Sequence, residues 1–193
     1  DAVKTYLSYM PSSAGEAPPR AVPGAVGDQE KILELVPETR RRVYDMRKVL
    51  SVIADQGSIF ELKALFGRAV ITAFARIEGR VVGFLANNPR FKAGAIDPDA
   101  CDKAVSFIVL CDSFNIPLIS MVDQPGFFIG VEGERKRAPG KIMNWMIALA
   151  QVTVPRFSVI VRKSFGQAYL NMGGGRNADE VLAWPMADLG FME

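Results

Sequence analysis

From residue 70 onward, apolar residues come in short blocks that end at turn residues. Residues 70–77 and 81–85 are two β-rich runs separated by Glu78-Gly79-Arg80, a pattern that predicts a hairpin. Residues 117–122 and 157–161 are two more apolar runs, each of strand length. Elsewhere the spacing is helical. Met46, Val49, Leu50 and Ile53 share one face of a helix over residues 44–54. Ala104, Val105, Ile108 and Cys111 share one over residues 98–114, and residues 141–151 read as another helix. Ser58, followed three residues later by Glu61, has the form of a capping box and predicts a helix through Leu65 that stops at Gly67. Residues 181–184 begin a last strand. The order β-β-α-β-α-β is that of an α/β domain with a partly mixed sheet, and no repeat of solenoid period interrupts it.

Two strand ends carry site-like turns. Residues 117–122 run into Asp123-Gln124-Pro125-Gly126-Phe127-Phe128-Ile129-Gly130, where Pro-Gly is a strong turn signal. Residues 157–161 run into Arg162-Lys163-Ser164-Phe165-Gly166-Gln167-Ala168-Tyr169-Leu170-Asn171-Met172-Gly173, with a helix opening from Ala168. A tight strand-to-helix turn leaves backbone N–H groups without partners, and such donors can hold a developing oxyanion. In repeated β-loop-α units, ligands lie beyond the carboxyl ends of the strands. The charged run Glu132-Gly133-Glu134-Arg135-Lys136-Arg137 reads as solvated surface, with a lip over a phosphate-bearing ligand as its functional alternative. Asn87-Asn88-Pro89 reads as a turn after a strand.

Composition narrows the chemistry. The chain has 193 residues, 49% of them hydrophobic, enough for one domain with its own core. A net charge of +2 lacks the basic footprint of a nucleic-acid binder. No apolar run is long enough to span a membrane. There is no histidine, which removes Ser-His-Asp and Cys-His catalysis and His-ligated zinc, and no metal site is expected. Cys101 and Cys111 fall in one predicted helix, about 15 Å apart, too far for a disulfide. Reduced core cysteines fit a cytoplasmic location. Residues 1–29 read as a linker or arm, rich in Pro, Gly, Ala and Ser from residue 11. The few residues before that read as the tail of a helix.

Five blocks, "YDMRKVL", "FARIEGRVVGFLANNP", "CDSFNIPLISMVDQPGFFIG", "VPRFSVIVRKSFGQAYLNMGG" and "LAWPMADLGFM", resemble in order the C-terminal half of biotin-dependent acyl-CoA carboxyltransferases. These are the beta subunits of acetyl-, propionyl- and methylcrotonyl-CoA carboxylases. The resemblance implies a crotonase (ClpP)-like β-β-α spiral fold, with residues 30–193 forming one carboxyltransferase C-terminal domain, truncated at its C-terminal end. It implies carboxyl transfer between carboxybiotin and the α-carbon of an acyl-CoA, in a site shared with an N-terminal carboxyltransferase domain. Biotin would arrive on another domain or subunit, since no Met-Lys-Met attachment signature is present. A biotin carboxylase or biotin carrier subunit and a homo-oligomer are the implied partners.

The family's oxyanion motif falls on Gly166-Gln167-Ala168-Tyr169, which makes the N–H groups of Gln167 and Ala168 the implied donors. They would face the biotin ureido oxygen or, in the reverse assignment, the thioester. Gly126, Phe127 and Phe128 resemble the family loop lining the same pocket, with Tyr169 beside it. The chain departs from many relatives at three places. Gln167 stands where they have glycine, Ala138-Pro139-Gly140-Lys141 replaces His-Gly-Ala-Lys, and Leu170 takes a position that is often acidic and linked to acyl-chain choice. Two other functions compete with a carboxylase: the acyl-CoA decarboxylase subunit of a biotin-dependent sodium pump, and a non-catalytic domain that only supports assembly.

Overall fold

A computed structural model of the chain describes residues 1–191. The helices are α1 (Ala2–Leu7), α2 (Lys31–Leu35), α3 (Met46–Ile53), α4 (Pro98–Ser113), α5 (Val131–Arg135), α6 (Ala138–Gln151) and α7 (Gln167–Asn171). They surround a seven-stranded mixed sheet. Strands β1 (Phe60–Leu62), β2 (Val70–Ile77) and β3 (Arg80–Asn87) are antiparallel neighbours. Strands β4 (Leu118–Gln124), β5 (Arg156–Phe165) and β6 (Glu180–Ala183) then follow β3 in parallel. Strand β7 (Asp188–Gly190) pairs in parallel with the last residues of β5.

The hairpin forms as the alternation predicts, with Val70 opposite Asn87 and Ile77 opposite Arg80. The Asp55 carboxylate accepts hydrogen bonds from the N–H groups of Glu78 and Gly79 and so holds its turn. Both faces of the sheet are covered, because successive strand side chains point to opposite sides. Val70, Phe74, Leu85, Val122 and Ile160 enter one core with α4 and α6, where Trp145 is fully buried. Ile71, Ala75, Phe84, Met121 and Val161 enter the other with α3. The absence of a side chain at Gly83 lets α4 close on β3, since a Cβ there would sit 2.6 Å from Cys111 Sγ. Cys101 and Cys111 are both buried free thiols.

α4 starts where a capping argument puts it. Asp97 accepts from the Ala100 N–H at 2.9 Å, and Pro98 opens the first turn. The helix expected over residues 58–65 does not form. Residues Phe60–Leu62 pair with β2 as an edge strand instead. Ser58 Oγ accepts from the Arg76 N–H, and Glu61 makes a two-pronged ion pair with Arg47 at 2.7 Å. Both members of the apparent capping box are thus committed to tertiary partners, and the ladder overrides the local signal. The first ten residues are also tied down. Tyr9 is buried, and the rings of Tyr6 and Tyr9 pack on Phe60 and Phe74. Residues 11–28 carry neither helix nor strand.

A buried ion pair joins the carboxyl ends of β4 and β5. Arg162 Nε and Nη2 each lie 3.0 Å from Asp123 Oδ2, and both side chains are out of solvent. Arg162 Nη1 donates to the carbonyls of Pro37, Thr39 and Arg42. Asp123 Oδ1 also accepts from the Lys163 N–H. The Tyr44 ring lies 5.0 Å from the guanidinium. Burial first, and the Asp123 carboxylate second, raise the Tyr44 phenol pKa far above its ordinary value. Removing one partner of such a pair strands a buried charge, at a cost of about 3–5 kcal/mol. Arg162→Met is therefore expected to lower unfolding free energy by about that amount in denaturant titrations. A loss below about 1 kcal/mol would mean that Asp123 finds other compensation.

Lys103 on α4 gives a second test. It is 1% exposed, and its Nζ donates to the Val70 carbonyl at 2.8 Å. Burial pushes its pKa down from 10.5 to about 8, with Glu61 opposing and Arg47 and Lys63 adding to the fall. Below pH 8 the amine is charged in both folded and unfolded states, and the burial penalty is felt in full. Between about 8 and 10.5 only the unfolded state stays protonated, so stability rises with pH through that window. The unfolding free energy of wild type relative to Lys103→Met should increase between pH 8 and 10.5. A flat or falling difference would show that Lys103 is not the titrating group.

Candidate active site

Both site-like turns emerge at the same end of the sheet, because β4 and β5 are parallel neighbours. The second departs from its expected form. β5 runs through Arg162, Lys163, Ser164 and Phe165, so the turn is reduced to Gly166 alone. Gly166 has φ +61° and ψ −151°, a conformation that side-chain-bearing residues avoid. It breaks the strand, and α7 starts at the next residue. The Gly166 N–H donates to the Gly190 carbonyl at the end of β7, and the Gly166 carbonyl accepts from Tyr169. The N–H groups of Gln167 and Ala168 have no protein acceptor among the described residues. They are the first donors of a helix, which the helix itself cannot satisfy.

The surroundings fix these donors in place. The Ala168 side chain is fully buried in the core beside α6. Asn171, also fully buried, donates from Nδ2 to the Ile142 carbonyl of α6 at 3.0 Å. At the far end of α7, Ser158 Oγ and Asn177 Nδ2 satisfy the carbonyls of Met172 and Leu170. Gln124, buried at the end of β4, donates from Nε2 to the Phe165 carbonyl, one residue before the turn.

Gly166, Gln167, Tyr169 and Leu170, with Gly190 and Phe191, line a cavity of about 350 Å³. That is within the usual range of small-molecule sites, about 300–1,000 Å³. Among the described residues no carboxylate, lysine or thiol lines it. A larger groove of about 680 Å³ runs between α2 and residues 184–186, walled by Ile32, Leu33, Trp184 and Met186. Its lining also includes Gln29 and Glu38, but no strand-to-helix turn opens on it, so the chemistry points to the smaller cavity.

Gly126, Phe127 and Phe128 stand apart from the cavity's lining. Their loop is tied to Ile96, whose N–H donates to the Gly126 carbonyl and whose carbonyl accepts from Phe128. The Phe128 ring lies under Lys92 Nζ at 4.2 Å. The charged run after it forms α5, and Lys136 there is paired with Asp99 of α4 at 2.8 Å.

Four supporting residues escape a reading of the chain alone. Asn87, expected in a turn, ends β3 fully buried, and its Oδ1 accepts from the Asp123 N–H. Gln124 and the Asp123–Arg162 pair lie inside the two stretches singled out there, but nothing in the spacing announces that they join. The one available signal was polar residues continuing two apolar strand runs.

The whole chain, residues 1–193, matches the family model for the carboxyl transferase domain. Over 96% of its length it is 40% identical to the biotin-dependent long chain acyl-coenzyme A carboxylase beta4 subunit of Mycobacterium tuberculosis, covering 36% of that protein. It is 35% identical, over 98% of its length, to the methylmalonyl-CoA decarboxylase subunit alpha of Veillonella parvula, covering 38% of it. The crystal structure of transcarboxylase 12S superposes with a TM-score of 0.94 at 38% identity, over 99% of this chain and 38% of that one. The chain thus spans little more than a third of the length of these relatives. The shared fold is crotonase-like, as the resemblance in sequence implied. Family match, sequence identity and fold agree over the full length, and the chain belongs to the carboxyl transferase domain family.

Proposed function

We propose that this chain supplies the biotin-side half of an active site that transfers carboxylate between carboxybiotin and the α-carbon of an acyl-CoA. The observation that carries the reading is the pair of free N–H groups at Gln167 and Ala168, set at a rigid turn beside a cavity of small-molecule size. Carboxybiotin, when bound, brings the carboxylate to be moved. The two N–H groups hold the charge that develops on an oxygen beside them, and the ureido oxygen of biotin is the candidate. Donors fixed in advance cost no reorganisation during reaction and are worth more where water is excluded. Tyr169, Leu170 and Phe191 supply apolar walls to the cavity. Positioned oxyanion donors support this chemistry without a protein nucleophile, which suits a chain with no histidine.

The remaining parts belong to the same proposal. An N-terminal carboxyltransferase domain supplies the other half of the site, and a biotin carboxylase or biotin carrier subunit delivers biotin. The protein works as a homo-oligomer in the cytoplasm. Among the described residues no helix is long and apolar enough to cross a membrane. A second reading, an acyl-CoA decarboxylase subunit, is favoured by the identity with the Veillonella protein, and the same donors serve the reaction in reverse. Sodium-stimulated loss of carbon dioxide from a malonyl-type thioester in membranes would favour it. A purely structural role is at odds with an oxyanion turn whose donors are unpaired and whose backbone is braced from β4, β5 and α6.

Two outcomes test the site in the full-length protein. Ala168 is the second residue of α7, where proline is tolerated in a helix but removes the N–H. Loss of one oxyanion donor costs about 3 kcal/mol, roughly a hundredfold or more in rate. Malonyl-CoA-dependent carboxylation of free biotin by Ala168→Pro should fall by that factor while circular dichroism stays native. A folded variant with full activity would refute the assignment.

Leu170 makes part of the cavity wall apolar. Burial of each further methylene is worth about 0.8 kcal/mol, or about fourfold. Specificity constants across a chain-length series should therefore favour an acyl-CoA larger than acetyl-CoA, and Leu170→Asp should erase that preference. Best activity on acetyl-CoA, or an unchanged ranking in Leu170→Asp, would remove Leu170 from substrate choice.

A further inference from the structure

The ending of α7 fixes one wall of the cavity. The Gly174 N–H donates to the Tyr169 carbonyl at 2.8 Å, and the Gly173 N–H to the Leu170 carbonyl at 3.1 Å. Gly173 itself has φ +96°. Nested bonds of this kind around a left-handed residue make a Schellman ending, which folds the sixth residue back onto the first. Here the first is Tyr169 and the sixth is Gly174. A Cβ placed on Gly174 would lie 2.4 Å from Tyr169 Cε2 and 2.5 Å from both Cδ2 and Cζ. The ring therefore rests on the bare backbone of Gly174, in space that a side chain there would take.

Tyr169 is half-buried, packs against the core that contains α4 and α6, and lines the cavity. A close-packed core yields little to a displaced ring. With the core on one side and a filled position 174 on another, the ring's free direction is the cavity. Gly175 stands in a similar relation to the neighbouring wall, since a Cβ there would come within 3.2 Å of Leu170 Cδ2. Gly174 is buried and stands outside the cavity's lining. We propose that Gly174 is a positioning residue that sets the width of the cavity from behind, by letting the Tyr169 ring lie back from the space a ligand fills. The inference rests on the biotin-side reading for the identity of that ligand. It makes the fit of biotin depend on a residue that does not touch it.

The test uses the full-length protein, free biotin and malonyl-CoA. Gly174 lies outside the left-handed region that Gly173 and Gly175 occupy, so alanine suits its backbone and the ring opposes the added methyl. In Gly174→Ala the free enzyme relieves the contact by moving the ring into the cavity, and a ligand must push it back to enter. Binding then weakens by the cost of the overpacking. KM for biotin should rise by about tenfold, with calorimetry giving a matching loss of affinity. KM for malonyl-CoA should hold. At saturating biotin kcat should change little, because the lost energy is that of binding. Tyr169→Ala removes the ring, so Gly174→Ala added to it should have no further effect on KM for biotin. This double-mutant cycle reads the coupling between the two residues directly.

An unchanged KM for both substrates in a folded Gly174→Ala would overturn the inference, as would an equal loss in the presence and absence of the Tyr169 ring. If Gly174→Ala does not fold, Tyr169→Ala is compared with the double variant. Equal biotin KM in those two supports the contact, and a loss in the double variant overturns it. If KM for malonyl-CoA rises in place of that for biotin, with the coupling to Tyr169 intact, the role of Gly174 stands and the biotin-side reading falls.

Discussion

The Asp123–Arg162 pair is the contact on which the arrangement of the site depends. β4 and β5 are parallel and adjacent, and each delivers one loop to the same sheet end. Their registration beyond the hydrogen-bonded ladder is interrupted by a bulge between Val122 and Gln124. The ion pair spans that irregularity and ties the two ends together where the ladder is weakest. One guanidinium also serves three carbonyls of residues 37–42, a stretch with no ladder of its own. A buried pair is weak evidence of net stability, because desolvation offsets most of the attraction. Its value here is geometric, since every donor of Arg162 that is committed fixes another segment. Asn87 extends the same network, linking the end of β3 to the Asp123 backbone.

A site made of backbone donors needs that rigidity more than a site made of flexible side chains does. An N–H can be aimed only by aiming the chain, and an error of an ångström costs much of its effect. The turn at Gly166 is accordingly held on several sides. β7 takes its N–H, Gln124 takes the carbonyl before it, and the buried Ala168 and Asn171 lock α7 to the core and to α6. Most of the buried polar side chains near this end of the sheet hold backbone rather than face the cavity.

The elements with a clear period could be read from the chain. The hairpin, α3, α4 and the runs inside β4, β5 and β6 fall where alternation or helical spacing puts them. The failures share one cause, a local polar pattern overruled by a tertiary partner. Ser58 and Glu61 imitate a helix start but are taken by Arg76 and Arg47. Arg162 looks like a loop residue, yet it lies inside β5 because Asp123 makes its burial tolerable. Asn87 looks like a turn residue and is instead a buried bridge. Within the site, the Gly166-Gln167-Ala168 motif was visible because glycine and helix onset leave a mark in sequence. Gln124 and Asn171 were not, because a carboxamide that braces backbone looks the same in sequence as one that faces water.

The chain's three departures from its relatives can now be separated by what they touch. Ala138-Pro139 sits at the start of α6, where proline suits the first turn and follows Arg137 in a left-handed conformation. Lys141, the residue retained there, is paired with Asp102 of α4. That substitution is absorbed by helix initiation and by the contact between α4 and α6. Gln167 and Leu170 are different, because both line the cavity three residues apart on one short helix. Residues at that spacing share a helix face. The two therefore change the cavity together, one adding a hydrogen-bond acceptor and the other removing a charge. A site with an acceptor for one ligand and an apolar wall for another can change what it selects without moving the donors that carry the reaction. On the proposed reading, substrate choice would rest on the side chains of this five-residue helix and catalysis on its backbone.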